Sequence, residues 1–157
     1  YFICKKNSKY KRNHNVINQT LREEKNYKLE KIKTFTDFFR NINKIKIKTI
    51  RYLNSLILKN KTIHGYGAST KGNVLLQYFN INNKYLNFIA DRNPKKYNCY
   101  TPGTKIKIIS EKESRNKIPN YYFVLPWHFK NEILKREIKI RKKGSRFIFP
   151  LPNLRIY

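Results

Sequence analysis

An α/β domain with a mostly parallel sheet covered by helices on both faces, preceded by a long amphipathic helix, is the fold class this sequence predicts. Three observations carry it. Short runs rich in β-branched and aromatic residues alternate with stretches of helical periodicity, the order of a sheet built from right-handed crossovers. One run passes straight into a glycine turn and a helix start, Lys61-Thr-Ile-His-Gly-Tyr-Gly-Ala-Ser-Thr-Lys71 followed by Gly72 and Asn73. Ahead of it, apolar residues from Phe35 to Ile57 recur mostly at three- and four-residue steps, one buried stripe of a helix. Together these make the α/β domain Rossmann-like.

In chain order, Tyr1-Phe-Ile-Cys4 reads as the closing strand of something that precedes the chain, and Lys5 to Asn15 as a basic linker that includes His14. Residues 16–31, with Ile17, Leu21, Glu23, Glu24 and Leu29, fit a short helix of mixed charge. Thr34 or Thr36 can cap a long helix from about Thr36 to Lys59, with Asp37 in its first turn. A strand at Thr62–Tyr66 and a helix from Thr70 to Phe79 follow, the latter turning Val74, Leu75 and Tyr78 inward and stopping at Asn80. Next come a strand at Tyr85–Ala90 and a Pro/Gly loop from Asp91 to Gly103. A short strand at Lys105–Ile109, one helical turn at Glu111–Asn116 and a strand at Tyr121–Leu125 continue the alternation. A helix from Trp127 to Lys143, carrying Phe129, Ile133, Leu134 and Ile138, is stopped by Gly144, and Arg146–Phe149 is the last clear strand. The domain division is therefore residues 1–15 as the end of a preceding domain and linker, 16–60 as a helical lead-in, and 61–157 as the α/β domain.

Size and composition bound the function. With 157 residues, 39% of them hydrophobic, the chain can bury one sizeable core. No run of about 18 apolar residues would span a membrane, and the apolar start is too short for a signal peptide. The cysteines, Cys4 and Cys99, form no CxxC pair, supply no metal site of their own and fit a reducing, cytoplasmic setting. The net charge of +27 first suggests a polyanion partner. Lysine far outnumbers arginine, however, and is spread through every segment beside abundant asparagine, isoleucine and tyrosine. That is the mix an A/T-biased coding sequence imposes, so a basic nucleic-acid-binding module stands as the alternative and not the first reading. With no methionine anywhere, the chain reads as a piece of a longer protein.

In open α/β sheets ligands bind beyond the carboxyl ends of the strands. Gly65 to Asn73, Asp91 to Arg92, Ile109 to Ser110 and Pro126 to His128 should therefore line one crevice. Within the first segment, Gly65, Gly67 and Gly72 permit a sharp turn and close approach, and Tyr66, Ala68, Ser69, Lys71 and Asn73 complete a candidate substrate cradle. The alternative is that the glycines only allow the turn, Ser69 and Thr70 cap the helix and Lys71 is solvated. The spacing matches neither a nucleotide-triphosphate loop nor the dinucleotide fingerprint, since Thr70 stands where a third glycine belongs; this disfavours an NAD-type oxidoreductase, and a stand-alone nucleotide-binding domain remains an alternative. Asp91 can accept hydrogen bonds from a ribose or sugar hydroxyl, or cap its loop and pair with Arg92. Tyr100, before the Pro102–Gly103 turn, and Trp127 are candidates to pack on a ligand or simply to pack. His128 has the titration range for acid/base work but no assignable carboxylate partner, and His64 reads as structural. Catalytic residues are otherwise unassigned.

The series Gly65-Tyr-Gly-Ala-Ser-Thr-Lys-Gly-Asn73, Asp91-Arg-Asn-Pro94, Tyr100-Thr-Pro-Gly-Thr104, Pro126-Trp-His-Phe129 and Phe147-Ile-Phe-Pro-Leu-Pro152 resembles the C-terminal domain of the sugar-nucleotide C-methyltransferases, from about Leu21 to Leu151. The resemblance implies a parent enzyme that moves a methyl group from S-adenosylmethionine to a ring carbon of a nucleotide-linked ketosugar. It implies a cysteine-ligated zinc domain and a methyl-donor domain ahead of this one, with the zinc, the S-adenosylmethionine and the catalytic Glu/His pair all outside this chain. The expected partners are the nucleotide-sugar substrate and that preceding domain, not a membrane or a nucleic acid. One departure is His128, where many relatives carry asparagine.

Overall fold

The computed structural model describes residue 9 and residues 13–157. The strand expected at Tyr1–Cys4, and most of the linker after it, lie outside the described residues. The chain divides into two compact units, Tyr1–Ile42 and Asn43–Tyr157.

In the first unit, helix α1 runs from His14 to Asn26, so His14 opens a helix and is not linker. Asn13 caps it, its Oδ1 accepting from the Val16 N–H at 3.2 Å. Helix α2, Ile32–Leu58, begins in this unit, earlier than expected. Neither Thr34 nor Thr36 caps it. Their hydroxyls donate instead to the carbonyls of Lys28 and Lys33, and Asp37 pairs with Lys33 and Arg40 along one face.

The second unit holds the rest of α2, which buries Thr49, Leu53 and Leu56, and the sheet. Six strands lie in the order β3-β2-β1-β4-β5-β6: β1 Ile63–Tyr66, β2 Phe88–Asp91, β3 Ile108–Ser110, β4 Tyr121–Val124, β5 Arg146–Phe149 and β6 Arg155–Ile156. The first five are parallel. β1 sits between β2 and β4, with Gly65 facing Ile89 on one side and Phe123 on the other. The antiparallel β6 edge pairs with β5 through Ile148 and Ile156 and was not legible in the sequence.

Helix α3, Thr70–Phe79, has its expected bounds: Ser69 caps it and Asn80 ends it in the left-handed region. Its inward face is different. Gly72, Leu75, Leu76 and Phe79 are buried, whereas Val74 is 64% exposed and Tyr78 lies on the α2 side, its hydroxyl donating to Asn43 Oδ1 at 2.8 Å. Strand β2 starts three residues late because Asn82 accepts the N–H groups of Lys84, Tyr85 and Leu86 in a turn. β3 starts late because Lys105 takes a left-handed conformation, closing a turn tied by the Thr101 and Thr104 hydroxyls. Helix α4, Glu111–Lys117, is capped by Ser110.

The helix expected over Trp127–Lys143 is broken. A 3-10 turn at Trp127–Phe129 leads into α5, Lys130–Arg136, and α6, Ile138–Lys142, with Glu137 at the break. Ile133 and Ile140 face the core, while Phe129 and Ile138 are about half exposed. The core on that side of the sheet is Tyr66, Tyr122, Val124, Ile133, Ile140, Phe147 and Phe149, with Trp127 and Leu134 at its margin. Tyr122 and Phe147 stack at 5.0 Å, and Tyr66 meets both edge-on.

Candidate functional site

Between β1 and β4 the sheet order changes direction, because the connections after β1 run one way and those after β4 the other. The loops that leave the two strand ends must diverge there, which opens a crevice at the carboxyl edge. A cavity of about 260 Å³ occupies that place, lined by Tyr66, Gly67, Asp91, Arg92, Glu111, Pro126, Phe129, Glu132, Ile133 and Arg136.

Of the candidates from the sequence, Tyr66, Gly67 and Asp91 reach this cavity, joined by Arg92 and Pro126 from the segments expected to line it. The other glycines serve packing. A side chain on Gly65 would meet Ile89 Cγ1 at 2.6 Å, and one on Gly72 would meet Leu125 Cβ at 2.5 Å. Gly67 has φ +80 and sits under Pro126, 2.9 Å from where a Cβ would be. The amides of Ala68, Ser69 and Gly72 are engaged by Asp91 Oδ2, the Gly67 carbonyl and Ser69 Oγ. Lys71 is exposed, and Asn73 Oδ1 is buried with no hydrogen-bond partner among the described residues. Tyr100 is 61% exposed. Trp127 packs at the core margin, and His128 is exposed, leaning on Phe129 at 4.4 Å.

Gly72 offers a clean check of the packing role. Alanine in a helix normally gains up to about 1 kcal/mol over glycine, whereas overpacking costs about 1–3 kcal/mol. The 2.5 Å approach to a Cβ fixed to the backbone beside β4 makes the clash the larger effect. Gly72→Ala is expected to lose about 1 kcal/mol net, a fall in Tm of roughly 2–4 °C; a rise in Tm would contradict it.

Asp91 is fully engaged inside the protein. Oδ2 accepts from Ala68 N–H at 2.7 Å and from Lys96 Nζ at 3.3 Å, and Oδ1 accepts from Asn93 N–H at 2.8 Å. The ion pair is with Lys96, not with Arg92. Lys96 also donates to the Ala68 carbonyl at 2.7 Å, so this carboxylate ties the first loop to the second.

The sequence reading missed a charge network in the cavity wall. Glu137 is 3% exposed; its Oε1 accepts from Tyr66 OH at 2.7 Å and Arg115 Nη2 at 2.5 Å, and its Oε2 from Arg115 Nε at 3.0 Å. Arg115 also reaches Glu111 Oε2 at 2.8 Å. Arg136 donates to Glu111 Oε1 at 2.9 Å, lies 3.3 Å from Glu137 Oε1 and makes a close contact with the Tyr66 hydroxyl. Burial by itself raises the Glu137 carboxyl, but the hydrogen bonds from Arg115 and Tyr66 and the two guanidinium charges outweigh it and hold the group below its usual range. Burial pushes the Tyr66 phenol upward, so it stays a neutral donor. Two cations and two anions cancel, which is how a buried ionic cluster is tolerated. The one available signal was Glu137 standing where the apolar stripe of Ile133 and Ile140 needs an apolar residue.

Among the described residues no group of three or more His, Cys, Asp or Glu side chains is placed to hold a metal ion. No helix among them is long and apolar enough to cross a membrane.

Comparison with known proteins gives two findings. The profile described as C-methyltransferase C-terminal domain matches residues 1–152. A curated relative, the C-methyltransferase NovU of Streptomyces niveus, is 28% identical over 141 residues, which cover 90% of this chain and 34% of that protein. The chain thus spans about a third of the length of the relative it matches.

Proposed function

The chain belongs to the C-methyltransferase C-terminal domain family, and on that premise we propose that it is the substrate-side domain of a C-methyltransferase acting on a nucleotide-linked ketosugar. The observation that carries the reading is the crevice at the sheet's reversal point, walled by Tyr66, Gly67, Arg92, Glu111, Phe129 and Arg136. It combines an apolar flank for a ring with charged groups for phosphate and hydroxyls, the lining a polar, ring-bearing ligand requires.

In this proposal the methyl donor, S-adenosylmethionine, and the zinc of the parent enzyme belong to the portion that precedes this chain, in a cytoplasmic protein. The donor, when bound there, supplies an electrophilic methyl sulfonium. The chemistry needs a base beside the acidic C–H of the ketosugar and a group that stabilises the enolate oxygen. The crevice supplies walls and anchoring charge. Asp91, Glu111 and Arg136 are tied to other residues of the protein, His128 has no carboxylate partner among the described residues, and no base is assigned in this chain.

Calorimetric titration of the full chain tests the reading. Nucleoside-diphosphate hexoses are expected to bind, S-adenosylmethionine and NAD are not, and the chain mixed with donor and a ketosugar nucleotide should transfer no methyl group. Tight NAD binding, or duplex DNA binding that weakens steeply with salt, would contradict it.

A further inference from the structure

Five charged side chains line the crevice: Asp91, Arg92, Glu111, Glu132 and Arg136. Three are consumed by the protein itself. Asp91 is saturated by two backbone N–H groups and Lys96. Glu111 is shared between Arg115 and Arg136. Arg136 is spent on Glu111, Glu137 and Tyr66. For the remaining two, Arg92 and Glu132, the described residues supply no ion pair and no side-chain hydrogen bond, and both are exposed to solvent.

We infer that Arg92 is the anion-binding group of the crevice and Glu132 its hydroxyl acceptor. Together they hold the ligand across the end of β1 with its phosphate toward β2 and a vicinal diol toward α5. This rests on the proposed nucleotide-sugar reading and names the residues that would enforce it. Arg92 follows β2 and Glu132 stands in the first turn of α5 after β4, so the two flank β1 from opposite sides of the sheet order.

Both are presented by fixed backbone. Around Arg92, Asp91 accepts from the Asn93 N–H, Asn93 Oδ1 accepts from Lys95 N–H at 3.1 Å, and the Arg92 carbonyl accepts from Tyr97 OH at 3.3 Å. Beside Glu132, Ile133 is 3% exposed and pins the helix to the core. A guanidinium offers a planar fork of donors that matches phosphate oxygens. A carboxylate only accepts, so it reads hydroxyls and repels phosphate. The opposite signs thereby give the ligand a direction. Nearby lysines are no substitute in this scheme, because none of them lines the cavity.

The test titrates the full chain with uridine-, thymidine-, guanosine- and cytidine-diphosphate hexoses, the matching nucleoside diphosphates and the free nucleosides. Arg92→Gln is expected to weaken every diphosphate ligand by roughly tenfold or more and to flatten the salt dependence, leaving any nucleoside binding unchanged. Arg92→Lys should fall between Arg92→Gln and the parent. Glu132→Gln is expected to weaken the diol-bearing ligand roughly three- to tenfold. If the hexose supplies the diol, only the sugar conjugates weaken; if the ribose does, the ribonucleoside diphosphates weaken as well. Both side chains are exposed, so folding is not at stake. Variants that bind the conjugates as the parent does would overturn this inference alone, whereas a parent chain that binds no member of the panel would overturn the nucleotide-sugar reading with it.

Discussion

Replacing Glu137 with leucine is expected to destabilise the protein by about 3–5 kcal/mol, the loss found when one partner of a buried ionic cluster is removed. The carboxylate is 3% exposed and receives both Arg115 and the Tyr66 hydroxyl. Leucine would leave the Arg115 guanidinium with Glu111 alone and the buried phenol with only Arg136. Glu137→Gln keeps an acceptor but no charge and is expected to cost roughly 1.5–3 kcal/mol. Urea unfolding at pH 7.5 measures both. A cost below about 1 kcal/mol for leucine would mean that the cluster is not what holds the break between α5 and α6. Because Arg136 and Tyr66 form the crevice wall, the same substitution should also loosen ligand binding once stability is restored by mild cooling.

Acid should destabilise the fold through His64 before it reaches the carboxylates. This imidazole is 3% exposed in β1. Its Nδ1 meets Ser114 Oγ at 2.8 Å, and Phe88 and Tyr122 present their rings edge-on. Burial, helped by the Lys117 charge, lowers its pKa from 6.5 to about 4. Between those two values the unfolded chain binds a proton that the folded one refuses, so the unfolded state gains as pH falls. Stability is therefore whole above about pH 6.5 and declines toward pH 4, by about 3 kcal/mol in all. Glu137, whose folded pKa is depressed, adds a further loss in the same direction only as pH drops through the carboxylate range. His64→Asn keeps a polar group facing Ser114 and removes the titration. Its unfolding free energy should be lower throughout but nearly flat from pH 6.5 to 5, where the parent slopes. Parallel slopes would refute the assignment.

Local chemistry explains what the sequence disclosed. Helix α3 was legible to the residue because Ser69 caps it and Asn80 tolerates the left-handed stop. The parallel order followed from strands punctuated by glycine, proline and asparagine. What depends on distant partners was hidden. Nothing near Asp91 in the chain says that the Ala68 amide, 23 positions back, engages it, so its reading as a hydroxyl acceptor could not be separated from a loop tie. The inward face of α3 was misassigned because Val74 and Tyr78 look apolar by type, while close approach to Leu125 selects Gly72, Leu75 and Leu76. The charge cluster joins α4 to the α5–α6 break across more than twenty positions, and only Glu137 on an apolar stripe hinted at it.

The measurement closest to the central claim is an amide-resolved NMR titration of the full chain with the nucleoside-diphosphate hexose that binds it best. Saturable shifts are expected for the amides of Gly67, Arg92, Glu111, Phe129, Glu132 and Arg136, with the exposed basic surface of α2 at Lys44, Lys48 and Arg51 unmoved. Shifts concentrated on that basic surface and absent from the crevice would contradict the assignment of the sugar nucleotide to this site.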